Sequence, residues 1–338
     1  MVSTQARYAL RILICLAATG QAVAAWEEAS PLPMGPRSEF GVTALRGKIY
    51  VFGGRNSDGV ALSVVQYDPA RDSWERKADM PFQSQGMGVA ALDGNIYLVG
   101  GLGGAGVVDT VYAYDPAADS WRQRASLSSP RFWLGCAAVG GKLYAIGGGG
   151  GGWPPMTVVD EYDPATDTWT RKSDAPRGLM ASACAAVDAR IYVFGGLVGG
   201  PNVAQSTALS YDPALDEWTR HEDMPTTRQN LAAVPLGEAV YAIGGSARLL
   251  GLFTVRAQVE KYDVTRNHWR EVDALPFSTM RHGAAAVDGR IYVFGGSRGG
   301  DWGEPTDGVL MWDTGVRDVD GAGKLATTWG ALRSWRPE

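Results

Sequence analysis

The sequence predicts an all-β fold, a six-bladed β-propeller of four-stranded antiparallel blades closed by the N-terminal strand. Two observations carry this. Gly pairs recur six times, at Gly53-Gly54, Gly100-Gly101, Gly147-Gly148, Gly195-Gly196, Gly244-Gly245 and Gly295-Gly296, in steps of 47, 47, 48, 49 and 51 residues. Each pair follows a short apolar segment containing Tyr and precedes a Tyr-Asp or Trp-Asp step. A fixed period of this length marks an array of supersecondary units that cannot bury their faces alone. The 45 glycines among 338 residues are about twice the average usage of roughly 7% and belong to the repeat, not to disorder.

The segment before each Gly pair, such as Ile49-Tyr50-Val51-Phe52 or Ile291-Tyr292-Val293-Phe294, is β-branched and aromatic, as a half-buried strand requires. Asp93-Gly94 and Asp288-Gly289 just before two of these strands are hairpin turns. After a variable loop come Tyr67, Tyr114, Tyr162, Tyr211 and Tyr262, each with a Trp seven residues on: Trp74, Trp121, Trp169, Trp218 and Trp269. Asp-Pro follows four of these Tyr and starts a tight turn. Each unit is thus an inner strand, the Tyr-rich strand, the Tyr-Asp strand and an outer Trp strand. Stacked radially, blades bury one another's faces, with the Tyr and Trp rings filling the wedge and the Gly pairs leaving room for them.

The last unit departs from the pattern: Trp312-Asp313 replaces Tyr-Asp, and Val319 stands where the Trp is expected. The missing outer strand is found at the other end of the chain. Trp26 precedes Pro33 by seven residues, the spacing also seen in Trp74 and Pro81, Trp169 and Pro176, Trp218 and Pro225, and Trp269 and Pro276. Pairing this strand with the Trp312 strand removes exposed edges; the rival is Trp329, with a poorer spacing. The expected organisation is a signal peptide over 1–24, the propeller over 25–313 and a tail over 314–338. The leader has Arg7 and Arg11, an apolar run from Ile12 to Ala18 and a small-x-small site at Ala22-Val23-Ala24. It is too short to span a bilayer. A secreted or periplasmic protein without a transmembrane segment is expected.

These motifs, a Gly pair, a downstream Tyr and then Trp at a period near 50, resemble the kelch family over roughly residues 26 to 313. The resemblance implies the fold strongly and the function weakly, because propellers host enzymes, receptors and scaffolds alike. Periplasmic kelch propellers similar to this chain include sialic acid mutarotases, in which acidic and Arg residues act on the sugar. No catalytic motif of theirs aligns here residue by residue.

In a meander the inter-blade connections and the loops after the Gly pairs share one face, which varies and is where function is expected. Between blades stand Arg37, Gln85, Arg131, Arg177, Arg228 and Arg281, at loosely equivalent positions. Two readings stay open. The kelch resemblance implies an Arg that bonds backbone carbonyls; guanidinium groups free at the channel mouth would suit a carboxylate, phosphate or acidic peptide. Aromatic and polar residues join them in the loops: Phe132, Trp133, Trp153, Asn202, Arg248, Arg298, Asp301, Trp302 and Glu304. The ligand-binding candidates are Arg37, Arg131, Arg228, Arg281, Trp133, Trp153, Trp302 and Asp301. Glu39, Asp58, Asp301 and Glu304 are the carboxylates available for acid–base chemistry.

Net charge is −5 and no basic stripe appears, so nucleic acid is not an expected partner. With three His, of which only His282 is near the working face, no metal or other cofactor is expected. The paired His and Cys-modified Tyr of kelch-like copper oxidases have no counterpart. Cys136 and Cys184 lie at equivalent places on adjacent inner strands and are read as buried thiols, because radial neighbours are too far apart for a disulfide. The leading expectation is a monomeric binding module for an anionic or sugar ligand or an acidic peptide, that is, a protein, peptide or carbohydrate partner. The alternatives are a carbohydrate-active enzyme of mutarotase or epimerase type and a protein-docking platform. A polar funnel would favour the first two; a face with every Arg tied to backbone would favour the third.

Overall fold

The computed structural model describes residues 26–151, 154–198, 203–249, 252–299 and 303–316. Among them are six four-stranded antiparallel sheets, five of them ordered from axis to rim as the strands run in the chain. Blade 1 comprises Gly41–Leu45, Lys48–Phe52, Val64–Asp68 and Ser73–Lys77; blade 2, Gly88–Leu92, Asn95–Val99, Val111–Asp115 and Ser120–Arg124. Blade 3 comprises Gly135–Val139, Lys142–Ile146, Val159–Asp163 and Thr168–Arg171; blade 4, Ala183–Val187, Arg190–Phe194, Ala208–Asp212 and Glu217–Arg220. Blade 5 comprises Ala232–Leu236, Ala239–Ile243, Val259–Asp263 and His268–Val272. In blade 6, Gly283–Val287, Arg290–Phe294 and Val309–Asp313 are completed by Glu27–Ala29 from the start of the chain. That strand pairs antiparallel with the last one, Glu27 opposite Met311 and Ala29 opposite Val309. The ring is closed by backbone hydrogen bonds, as the Trp-to-Pro spacing predicts. The segments bearing Trp329 and the leader lie outside the described residues.

The core lies between blades. Tyr50 and Phe52 of blade 1 meet Tyr114 and Trp121 of blade 2 at ring-centroid distances near 6 Å, mostly edge to face, a favourable geometry for aromatic pairs. The Tyr-to-Trp spacing has a second purpose. Tyr114 Oη donates to Asp119 at 2.5 Å, Asp119 also accepts the Ala78 N–H of the preceding blade at 2.9 Å, and the Trp121 indole N–H donates to the Ala78 carbonyl at 3.1 Å. The same latch joins Tyr67, Asp72, Trp74 and Ser30, and recurs with Asp167, Asp216 and Asn267. The Tyr bond holds the Asp119 carboxyl below its ordinary pKa, and burial pushes the Tyr114 phenol up. Only the joint between blades 5 and 6 lacks the latch among the described residues: Trp312 has no hydroxyl, and its ring packs on Trp26 at 5.5 Å.

The Gly pairs do not make room for the Tyr and Trp rings, contrary to the sequence reading. Both members adopt positive φ, for example +62° and +108° at Gly100 and Gly101. A Cβ there would strike the Arg131 carbonyl at 2.4 Å and Ser84 Oγ at 1.9 Å. The pair is glycine because the left-handed backbone presses on the inter-blade connection. At Asp93-Gly94 both residues have positive φ, +50° and +80°, the twist-matched hairpin turn expected of that dipeptide.

Candidate functional site

Where the chain enters each inner strand, one residue per blade reaches the axis: Glu39, Gly86, Trp133, Ala181, Asn230 and Arg281. The N–H of each donates to the carbonyl of its predecessor around the ring, and Glu39 closes it on Arg281; the six bonds span 2.7–3.0 Å. All six residues have φ between +51° and +60°. Five are not glycine, so each stores about 1 kcal/mol of backbone strain. The cyclic hydrogen bonds hold that conformation and aim the side chains of these positions at the channel mouth.

The same connections place the arginines of the sequence reading. The carbonyl of the residue two before the ring accepts the N–H of the second Gly of a pair, which defines the true register: Arg37, Ser84, Arg131, Leu179, Arg228 and Thr279. Gln85 and Arg281 are displaced from this register by one and two residues, and Arg177 lies two residues ahead of it. Every blade's first Gly carbonyl is satisfied by a nearby side chain: Gly53 by Arg37, Gly100 by Ser84, Gly147 by Arg131, Gly195 by Arg177, Gly244 by Arg228 and Gly295 by Thr279. Guanidinium, hydroxyl and displaced guanidinium all do one job.

Arg131 and Arg228 are therefore corrected as ligand candidates. Both are 0% exposed. Arg131 pairs with Asp160 at 2.5 Å and Arg228 with Glu260 at 2.7 Å, the acids equally buried. Arg37 is buried too, bonded to the Met34 and Gly53 carbonyls. No charge repulsion between these groups calls for an anion at the axis, because the two deepest guanidiniums already hold carboxylates. The carbonyl-bonding reading implied by the kelch resemblance holds for all three.

Arg281 is different because it sits on the axial ring. Its Nε lies 3.1 Å from Glu39 Oε1, and its guanidinium carbon lies 5.8 Å from the centre of the Trp133 ring. The Trp133 indole occupies the space above Gly86, where a Cβ would meet its Cδ1 at 2.5 Å. Glu39 is 8% exposed. Burial raises its pKa, opposed by Arg281, Arg55 and the Trp133 indole. With Ser182, Asn230 and His282 these residues line a cavity of about 510 Å³, counting solvent at its open side. A second, polar hollow between blades 1 and 6 shares Arg281 and adds Arg55, Asn56, Ser57 and Glu304. Below the mouth the channel turns apolar, lined by Ala and Val of the inner strands and by Cys136 and Cys184. The two thiols are unbridged, and burial pushes the pKa of Cys184 up to about 12.

Of the candidates, Arg281 and Trp133 thus meet at the mouth, together with the carboxylate Glu39. Trp153, Asp301, Trp302 and Asn202 lie outside the described residues. Asp58 is exposed on a loop tip, and Arg298 stacks 3.6 Å from the centre of the Phe277 ring. Asn230 and Ser182 went unnoticed in the sequence. A consistent count from each Gly pair back to the ring residue would have found them. Among the described residues no cluster of three or more His, Cys, Asp or Glu is able to hold a metal.

No curated protein sequence matches this chain. In structure it is similar to a chain described as the structure of YjhT, with a TM-score of 0.72 over 83% of this chain and 96% of that one, at 17% identity. That degree of identity speaks for the fold alone. The kelch-type sequence pattern has a firmer counterpart: the family model for the Attractin/LZTR1 β-propeller matches residues 49–304. Six repeats, a closed ring and this match over most of the sequence show that the chain belongs to the Attractin/LZTR1 β-propeller family.

Proposed function

We propose that the protein binds a small anionic ligand, an acidic sugar or the acidic part of a peptide, at the axial mouth, and that it does so as an exported monomer. The observation that carries this is the cluster of Arg281, Glu39 and Trp133 on the strained axial ring, with Arg55 beside it. Arg281 and Arg55 both lie beside the Glu39 carboxylate, and Glu304 lines the adjoining hollow. A guanidinium fork matches a carboxylate in two parallel hydrogen bonds. Trp133 offers a ring face for the apolar side of a sugar, and Asn230 supplies both donor and acceptor. Export rests on the leader-like residues Arg7 to Ala24.

The test is isothermal titration of the full protein against acidic and neutral monosaccharides and acidic dipeptides. Acidic ligands should bind, less tightly in high salt, and R281A should lose at least tenfold in affinity, the scale of one charge-assisted hydrogen bond. Equal binding by neutral sugars, or an R281A protein that binds as wild type, would reject the reading.

A second reading, an enzyme of mutarotase type, is favoured by one feature. Glu39 is a buried carboxyl with a raised pKa next to a cation, the environment of a general acid or base. In that case E39Q would bind ligand normally and lose turnover, measured by the rate of anomer exchange.

A further inference from the structure

At the end opposite the axial mouth the channel is an apolar hole with an acidic rim. Each inner strand pairs on one side only, so six strand edges face the axis, and proteins shorten or cover such edges. The lowest tier of side chains there is Ala44, Ala91, Ala138, Ala186, Pro235 and Ala286, none of them buried. The space they enclose with the tier above is about 820 Å³, counting solvent at its openings. Around the exit run the turns that join first and second strands. These turns carry Asp93, Asp188, Glu238 and Asp288, all exposed, against the single cation Arg46. The basic residues that follow four of the turns, Lys48, Lys142, Arg190 and Arg290, are already paired outwards with Asp68, Asp163, Asp212 and Asp313.

The chain itself leads to this rim. In blades 1 to 5 the third strand is followed by a turn outwards to the Trp strand. After Asp313 the path is inwards. The Thr314 N–H and hydroxyl both donate to the Gly289 carbonyl, at 3.3 and 2.7 Å. A Cβ on Gly237 would lie 3.7 Å from Val316 Cγ1. Gly289 and Gly237 belong to the rim turns of blades 6 and 5. Beyond Val316 the sequence holds Trp329, Leu332 and Trp335, and between 321 and 336 it has three cations, Lys324, Arg333 and Arg336, and no acid. The step from Val316 to Trp329 reaches up to about 45 Å when extended, far more than is needed from a residue already at the rim.

We infer that segment 329–336 of this chain docks in the lower end of its own channel, with its indoles against the alanine tier and Arg333 and Arg336 beside the acidic turns. Taking two indoles out of water against an apolar wall is favourable, and the opposite charges of segment and rim fix the site. Docked there, the segment leaves the axial mouth as the open end of the channel, whatever the mouth binds.

The experiment is hydrogen exchange of the full chain read by mass spectrometry, with maleimide labelling of Cys136 and Cys184, which line the channel and are partly exposed there. Segment 329–336 should exchange at least about tenfold more slowly than an unstructured chain, equally at low and high protein concentration. In W329A/W335A that protection should vanish and both thiols should label at least about tenfold faster, while the blade strands stay protected. D93N/D188N/D288N neutralises the rim with a residue that tolerates the positive φ of these turns, and should weaken the protection severalfold. Unprotected exchange in the wild type overturns the inference. Protection that grows with concentration overturns it too, because the segment then docks in a second copy. Thiols that label at the wild-type rate in W329A/W335A place the segment elsewhere on the propeller and equally refute it. Should the blades of W329A/W335A lose protection, the Asn variant decides, and a segment it leaves fully protected rejects the site.

Discussion

Replacing Arg131 by Leu should unfold the propeller at a much lower temperature without acting through a ligand. Arg131 is wholly buried, donates to the carbonyls of Gly147 and Val158, and pairs with Asp160, whose side chain is 2% exposed. In R131L the Asp160 carboxylate keeps only the Ser128 hydroxyl as a partner, and two carbonyls lose a donor. Removing one member of a buried pair costs about 3–5 kcal/mol. For a domain of this size, that lowers Tm by roughly 6–15 °C. Blade 4 supplies the control. There the equivalent residues are Leu179 and Leu209, both buried, so an apolar pair fits the same place. The double variant R131L/D160L should recover most of the loss, leaving about 1 kcal/mol for the Gly147 carbonyl, which in blade 4 is served by Arg177 and Ser182 at Gly195. Scanning calorimetry of the four proteins of this cycle gives the coupling energy directly. A single variant that melts like wild type, or a double variant that melts as low as the single, would refute the argument.

Other consequences are open to measurement. D119A removes the acceptor shared by Tyr114 and the Ala78 N–H, and should cost about 2–3 kcal/mol in urea unfolding, against about 1 kcal/mol for Y114F. His282 makes stability fall in acid. Its folded pKa, about 4, lies below the 6.5 of the unfolded chain, so the unfolded state takes up a proton first as pH drops. The contribution is complete above pH 6.5 and is lost towards pH 4, by about 3 kcal/mol; in H282L that part of the pH dependence should vanish from urea midpoints. Deleting residues 26–37 leaves the Val309–Asp313 strand as a bare edge, and hydrogen exchange there should rise to near-unfolded rates while a scrambled tail leaves it protected. Unreduced protein should show no link between Cys136 and Cys184 by mass spectrometry, and both thiols should label slowly at neutral pH because burial disfavours their thiolates.

The working face was only half legible. Five arginines at similar distances from the Gly pairs read as one ring. In three dimensions Arg37, Arg131 and Arg228 share a register that points into the blades, and Arg281, two residues further on, points into the mouth. A shift of two residues in a connection without regular periodicity leaves no trace in composition. Glu39 was noted only as one loop carboxylate among four; its indole and guanidinium neighbours come from blades 3 and 6, far away in the chain.

The sequence by itself determined the number of blades, the four strands of each, and closure by the Trp26 strand. The unit repeats around the ring, and its parts follow from local chemistry: alternating apolar strands, Asp-Gly and Asp-Pro turns, and, in five of the six units, a Trp seven residues after a Tyr. The tertiary structure alone decided which charges are buried and which are presented. It also gave the Gly pairs their reason, a left-handed backbone pressed against the next connection, and turned the Tyr-to-Trp spacing into a latch on the neighbouring blade. These are properties of contacts between segments separated in the chain by some 16 to 47 residues, and they arise only when the blades stack and every connection must satisfy the carbonyls beside it.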